Sequence, residues 1–194
     1  MKIKHLALVV AGLAFSSAAL ATKPANYDMR FNISAEVPDS VLITDPEGNP
    51  ITELDIRLTP AGSSHAGSTQ SMSADTQSIQ SLRLWSNKIT DTKVKLTLDD
   101  NDVATGSAFA LTSNAGGQLN KMNFKVSALE TGAAKYDFVN SGDNKDYTLT
   151  TVGAGDTGHA EKEIAFVFES TKAYTEYPAG GYSGVVYANV TVTP

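Results

Sequence analysis

The stretch that decides the fold is Tyr27 to Val37, Y-D-M-R-F-N-I-S-A-E-V. Tyr27, Met29, Phe31, Ile33, Ala35 and Val37 are apolar, and Asp28, Arg30, Asn32, Ser34 and Glu36 between them are polar. Strict alternation sends successive side chains to opposite faces, which predicts a β-strand. Its position gives it weight, because chain ends are frayed and polar unless something ties them down. Two readings follow from the residues. One is a plain first strand of a sheet; the other is a strand handed to another molecule, added to an open sheet edge by main-chain pairing.

Ahead of this strand lies a leader. Lys2 and Lys4 form a positive n-region, Leu6 to Phe15 an apolar core, and Ala19-Leu20-Ala21 a small-x-small cleavage site. Residues 1–21 are therefore expected to be a signal peptide, leaving Thr22 to Pro194 as the mature chain. The apolar run is too short for a resident transmembrane helix. With Lys2 and Lys4 gone, the formal charge moves from −6 to −8. An acidic chain with no basic cluster argues against nucleic acid or anionic lipid as a partner. The chain has no cysteine. That excludes thiolate metal sites, cysteine nucleophiles and a lipoprotein anchor, and leaves packing or assembly to supply stability.

Downstream the texture is all-β. Val41 to Thr44 is a short aliphatic run stopped by the turn-rich D-P-E-G-N-P of Asp45 to Pro50. Leu54, Ile56 and Leu58 alternate with Asp55 and Arg57, closing at Thr59-Pro60. Ala61 to Ser78, rich in Ser, Thr, Gly and Ala, reads as a long loop. Leu82 and Leu84 share a face opposite Trp85. Val94, Leu96 and Leu98, then Met122, Phe124 and Val126, alternate with polar residues. Tyr147, Leu149 and Thr151 form a further strand, as do Ile164, Phe166 and Phe168. Tyr182 to Thr193 is β-branched enough to be a buried last strand. No amphipathic helix is evident. Many short strands with Gly, Pro and Asn turns predict one antiparallel sandwich domain.

Motifs that could carry chemistry fail on their context. Gly153 to Gly158, G-A-G-D-T-G, fits a dinucleotide fingerprint, but that site needs the glycines to open a helix. Ile164, Phe166 and Phe168 keep a strand period instead, so the motif reads as a turn. Asp99-Asp100-Asn101-Asp102 lacks the Gly and Glu positions of an EF-hand loop. His159, Glu161 and Glu163 share a strand face, yet with His65 the only other histidine outside the leader they make a thin metal site. No G-x-S-x-G elbow is present. The sequons at Asn32 and Asn189 lie inside strands. The expectation is no catalytic residue, no metal and no cofactor, hence not an enzyme.

The two ends of the chain resemble a known family. Phe31 to Pro60, F-N-I-S-A-E-V-P-D-S-V-L-I-T-D-P-E-G-N-P-I-T-E-L-D-I-R-L-T-P, is similar to the opening of colonisation-factor-type fimbrial major subunits. These are pilins of the alternate chaperone–usher pathway. Ala179 to Val186, A-G-G-Y-S-G-V-V, is similar to the family's A-G-x-Y-S-G-V-V before its last strand. The resemblance implies an incomplete immunoglobulin-like antiparallel β-sandwich, completed by a donor strand from a neighbouring subunit. It implies that residues 22–37 are a donor-strand extension and 38–194 the pilin domain. Tyr27, Met29, Phe31, Ile33, Ala35 and Val37 would then plug the neighbour's groove. The groove would lie between Val41–Thr44 and the last strand, with Val41, Ile43, Val186, Val190 and Val192 as acceptors. Implied partners are identical subunits, a periplasmic chaperone, an outer-membrane usher, a tip adhesin and a host receptor, and the location a surface fimbrium. Heterologous, head-to-tail pairing of this kind builds open fibres.

Two other classes compete. A monomeric carbohydrate-binding or adhesin module would use exposed aromatics such as Trp85, Tyr174, Tyr177 and Tyr182; such residues also commonly bury a body and leave a polar tip wet. A secreted hydrolase lacks any assembled nucleophile, base or metal set.

Overall fold

The computed structural model describes residues 33–61, 69–74, 81–100, 106–115, 121–153, 155 and 158–193. The chain divides into two units, Met1–Val37 and Pro38–Pro194. Of the first, the described residues 33–37 carry no regular secondary structure, and Ile33 and Val37 are 92% and 80% exposed. The leader and Tyr27, Met29 and Phe31 lie outside the described residues.

The second unit is all-β. Its strands are β1 (Val41–Thr44), β2 (Leu58–Pro60), β3 (Ser71–Ala74), β4 (Ser81–Ser86), β5 (Thr92–Asp99) and β6 (Ala110–Ser113). They continue with β7 (Lys121–Leu129), β8 (Tyr136–Phe138), β9 (Asn144–Val152), β10 (His159–Ala173), β11 (Tyr182–Ser183) and β12 (Tyr187–Val192). Every pairing between these strands is antiparallel. One layer runs β1–β4–β10–β7, and the other β9–β5–β12. The long β10 joins them. Its first residues pair with β9 (His159 opposite Val152) and its middle with β7 (Phe168 opposite Val126). Strands that change partner in this way make the corner of a sandwich. The architecture is an immunoglobulin-like β-sandwich.

The alternation read from the sequence explains the core. Leu82 and Leu84 of β4, Val94, Leu96 and Leu98 of β5, Phe124 and Val126 of β7, and Ile164 and Phe166 of β10 are all buried in one cluster. Fully burying each such side chain contributes about 1.5–3 kcal/mol, so these inward rows dominate the stability. Phe109, just ahead of β6, and Phe138, at the end of β8, join them, and Phe109 stacks on Phe124 at 5.7 Å between ring centroids.

The structure corrects four expectations. The stretch from Ala61 to Ser78 is not all loop. Ser71–Ala74 pairs with both β2 and β10, held partly by polar side chains (Met72 N–H to Ser170 Oγ, 2.8 Å) that an apolar pattern does not reveal. The strand expected over Leu54 to Leu58 enters a ladder only at Leu58. The last strand is broken: Tyr182–Ser183 pairs with β6, residues 184–186 cross over, and Tyr187–Val192 pairs with β5. That final strand is also mostly exposed instead of buried, because among the described residues it has a neighbour on one edge only.

Candidate strand-acceptor groove

The two strands that border the groove are both edge strands. Among the described residues, the one strand that β1 pairs with is β4, with Pro50 and Ile51 meeting the end of its other side at Thr44 and Ile43, and β12 pairs only with β5. They belong to opposite layers and are not hydrogen-bonded to each other. Between the layers lies an open groove of about 700 Å³. Its floor is core: Leu82, Leu98, Phe124, Val126 and Phe166. Ile43, Leu54, Ile56 and Leu58 form one wall, and Val185, Val186 and Ala188 the other. A sandwich of this size normally covers such a surface. Here Val185 and Tyr187 stand at the rim 60% and 55% exposed, an apolar patch of the kind that marks an interaction site or an aggregation hazard.

The expected acceptor residues divide as follows. Ile43 and Val186 line the groove, and both pack against the core cluster. Val41 and Val190 are half-buried against the same cluster. Val192 is half-buried at the end of β12, opposite Val94. The wall from Leu54 to Leu58 is the part sequence reasoning assigned to no site, although its period-two pattern was visible. Gly184 lets the chain cross between the layers. A Cβ there would meet Leu111 Cδ2 at 3.0 Å and the Ala110 carbonyl oxygen at 3.2 Å, so the crossing presses directly on β6.

The turn after β1 leads back to Ile51, which lines the groove. Asn49 donates both its backbone N–H and its side-chain amide to the Asp45 carboxylate, at 2.8 Å each. Those bonds hold the Asp45 pKa below its ordinary value. Gly48, with φ of 90°, supplies the left-handed position of the turn.

The charges inside the sandwich form one cluster. Lys145 of β9 lies opposite Leu96, and Lys162 of β10 opposite Leu84. Both leucines are fully buried, so both lysines point inward, one from each layer. They converge on Glu130, whose side chain is only 9% exposed: Lys162 at 3.1 Å, and Lys145 in close contact. Burial pushes the Glu130 carboxyl up, but hydrogen bonds from Lys145 and Lys162 outweigh it and hold the pKa below its ordinary value. Lys145 also sits 4.7 Å over the Tyr147 ring. Burial and the Glu130 charge push the Tyr147 hydroxyl well above its usual range. The arrangement ties the two layers together; nothing in it activates a nucleophile.

The other motifs are structural. Gly153 and Gly155 have positive φ in the β9–β10 connection, of which residues 154, 156 and 157 lie outside the described residues, and the next strand is β10. Glu161 takes hydrogen bonds from Arg83 and His159, both at 3.1 Å. No cluster of metal-ligating side chains occurs among the described residues. Ser141 Oγ donates to Asp99 and accepts from the Asp100 N–H, while Asn101 and Asp102 lie outside the described residues.

The aromatic residues do not form one platform. Trp85 stacks on His159 at 6.0 Å, beside Glu161 near the start of β10. Tyr177 and Tyr182 meet edge-on past its far end, with hydroxyls bonded to the carbonyls of Asn123 and Pro178. The two groups thus lie towards opposite ends of β10.

No protein-family model matches the chain, and no curated protein matches it by sequence. Solved structures do match by fold. The CFA/I adhesin CfaE of enterotoxigenic E. coli, in a point variant, aligns with a TM-score of 0.53 at 15% identity, over 79% of this chain and 43% of that one. A chaperone–tip adhesin complex from CFA/I fimbria biogenesis aligns at 0.47 and 14% identity, over 79% and 42%. The chain thus spans less than half the length of these neighbours. The likeness to CfaE establishes a shared fold with a fimbrial adhesin.

Proposed function

We propose that this protein is a structural, major subunit of a bacterial surface fimbria, polymerised head-to-tail by donor-strand exchange and supporting adhesion to host surfaces. The observation that carries the reading is the apolar groove bounded by an edge of β12 that is unpaired among the described residues. An edge strand beside an open core offers both halves of strand addition: main-chain donors and acceptors, and pockets for alternate side chains. The same chain carries a matching ligand in the alternation of Tyr27 to Val37. Its apolar members within the described residues, Ile33, Ala35 and Val37, are all exposed. The secretion leader, the resemblance at both ends and the fold shared with a fimbrial adhesin support the same reading. Residues 1–21 direct export, 22–37 donate, and 38–194 accept. A periplasmic chaperone covers the groove first, and an outer-membrane usher then exchanges it for the next subunit's strand at the cell surface. A tip adhesin would end the fibre. No catalytic step or cofactor is part of this role.

An adhesin module is the second reading, favoured by the shared fold with CfaE. Native gels separate the two. Six buried apolar side chains per junction hold subunits with on the order of 10 kcal/mol. Protein extracted from the cell surface should therefore run as a ladder in detergent without boiling and collapse to monomer on boiling. A single monomeric band before boiling, from soluble protein made without a chaperone, contradicts polymerisation and favours the adhesin module.

A further inference from the structure

Part of one wall of the groove comes from a segment that belongs to no strand. Strand β4 lies against Ala160–Ala165 of β10, and β3 against Glu169–Ala173, on the same edge of that strand. Strands β1 and β2 flank β4 and β3 respectively, so they follow one another along one sheet margin. The chain does not run straight from one to the other. After β1 it turns at Asp45–Asn49 and doubles back, so that Pro50 bridges Thr44 and the Ile51 N–H donates to the Ile43 carbonyl at 2.9 Å. It then runs from Thr52 to Arg57 along the groove before entering β2 at Leu58.

This segment copies the pattern of a donor strand. Leu54, Ile56 and Leu58 are half-buried and line the groove, while Glu53, Asp55 and Arg57 are exposed. Unlike a strand, it has no ladder. Among the described residues, no main-chain hydrogen bond holds Thr52 to Arg57; the segment is fixed at Ile51 and at Leu58 and rests on side chains between. An element held by a few half-buried apolar contacts and, among the described residues, by no backbone bonds belongs to the low-stability end of a fold.

We infer that Thr52–Arg57 is a built-in stand-in that shields the groove in the unassembled subunit and is displaced by the incoming strand. The inference rests on the donor-strand reading above and adds to it how the empty groove is kept from aggregating. A segment without a ladder can leave at little cost, whereas the incoming strand gains main-chain bonds along β12. The groove is thereby covered but not closed.

Arg57 provides the test, since release of the segment from the groove should make the bond after it more available to trypsin. The mature chain is mixed with excess synthetic peptide of sequence Tyr27–Val37, and two signals are followed. Hydrogen exchange of β12 amides reports peptide docking, and mass spectrometry of the fragment ending at Arg57 reports release of the segment. Docking should protect β12 and speed cleavage after Arg57 by about tenfold or more, as expected when a locally closed segment opens. Protection of β12 with unchanged or slower cleavage overturns the stand-in and leaves the donor-strand reading intact. No protection of β12 at any peptide concentration overturns both. A second measurement uses Leu54→Ser with Ile56→Ser. Loss of the shielding contacts should raise the peptide association rate by about tenfold; an unchanged or slower rate, with β12 still protected at saturation, assigns those side chains to ordinary packing and rejects the proposal.

Discussion

Replacing Glu130 by Gln removes the charge that joins the two layers and strands two inward lysines. Glu130 is 9% exposed, and Lys145 and Lys162 are 23% and 32% exposed at their side chains. Deleting one partner of a fully buried ion pair costs about 3–5 kcal/mol, because the other charge is left uncompensated. Both lysines retain some solvent, which screens part of that loss, so the expected cost is about 2–3 kcal/mol. For a domain of this size that lowers the melting temperature by roughly 5–10 °C. The pH dependence has a definite sign. The folded pKa of Glu130 lies below its ordinary value of 4.5. Its contribution is therefore fully present above the unfolded pKa and is lost as pH falls through the folded one. Urea titrations at pH 7 and at successively lower pH should show the wild type losing its advantage over Glu130→Gln only below about pH 4.5. A difference under about 0.5 kcal/mol at pH 7, or one that persists unchanged into strong acid, refutes the clamp.

Three further expectations follow from the same geometry. Ile33 is 92% exposed, so Ile33→Asp should leave the stability of the unassembled subunit within about 0.5 kcal/mol. It should nonetheless stop fibre growth by placing a charge in the next subunit's apolar groove, seen as loss of the unboiled gel ladder. Ser34→Asp, on the outward face of the same strand, should assemble normally; equal behaviour of the two variants means the register is wrong. Gly184→Ala forces a Cβ against Leu111 and the Ala110 carbonyl, and thermal melts should show a cost of about 1–3 kcal/mol.

Strands with a sustained period of two were legible from sequence. Leu82 and Leu84, Val94 to Leu98, Met122 to Val126 and Ile164 to Phe168 lie where the alternation put them, because a face buried against a core must be apolar at every second residue. Ser71–Ala74, Ala110–Ser113 and Tyr136–Phe138 were not legible. Each has only 3 or 4 residues, too few for a period to emerge. Tyr182 to Thr193 misled for a different reason. A β-branched run suits a buried strand, but it equally suits an edge strand, which β12 is among the described residues. Ile51 to Leu58 has strand periodicity without a ladder, since alternation reports which face is apolar and not whether a partner is present. Ile43 and Val186 were named from the resemblance at the chain ends, and both line the groove. The Glu130 cluster was invisible, because Glu130, Lys145 and Lys162 come from three separate strands or turns and meet only in the folded sandwich.

The central claim is that the groove of this domain is filled by the strand Tyr27–Val37. The most direct measurement moves that strand to the other end of the chain. Residues Thr22 to Val37 are deleted, and Tyr27–Val37 is appended after Pro194 through the linker Asp-Asn-Lys-Gln, a turn short enough to return antiparallel along β12. The linker makes docking intramolecular, at an effective concentration of about millimolar. Size-exclusion chromatography with thermal unfolding should find a monomer that melts well above the deleted chain lacking the appended strand. If instead the deleted chain is a stable monomer by itself, and the appended strand changes neither its size nor its melting temperature, the groove is not a strand acceptor and the account is wrong.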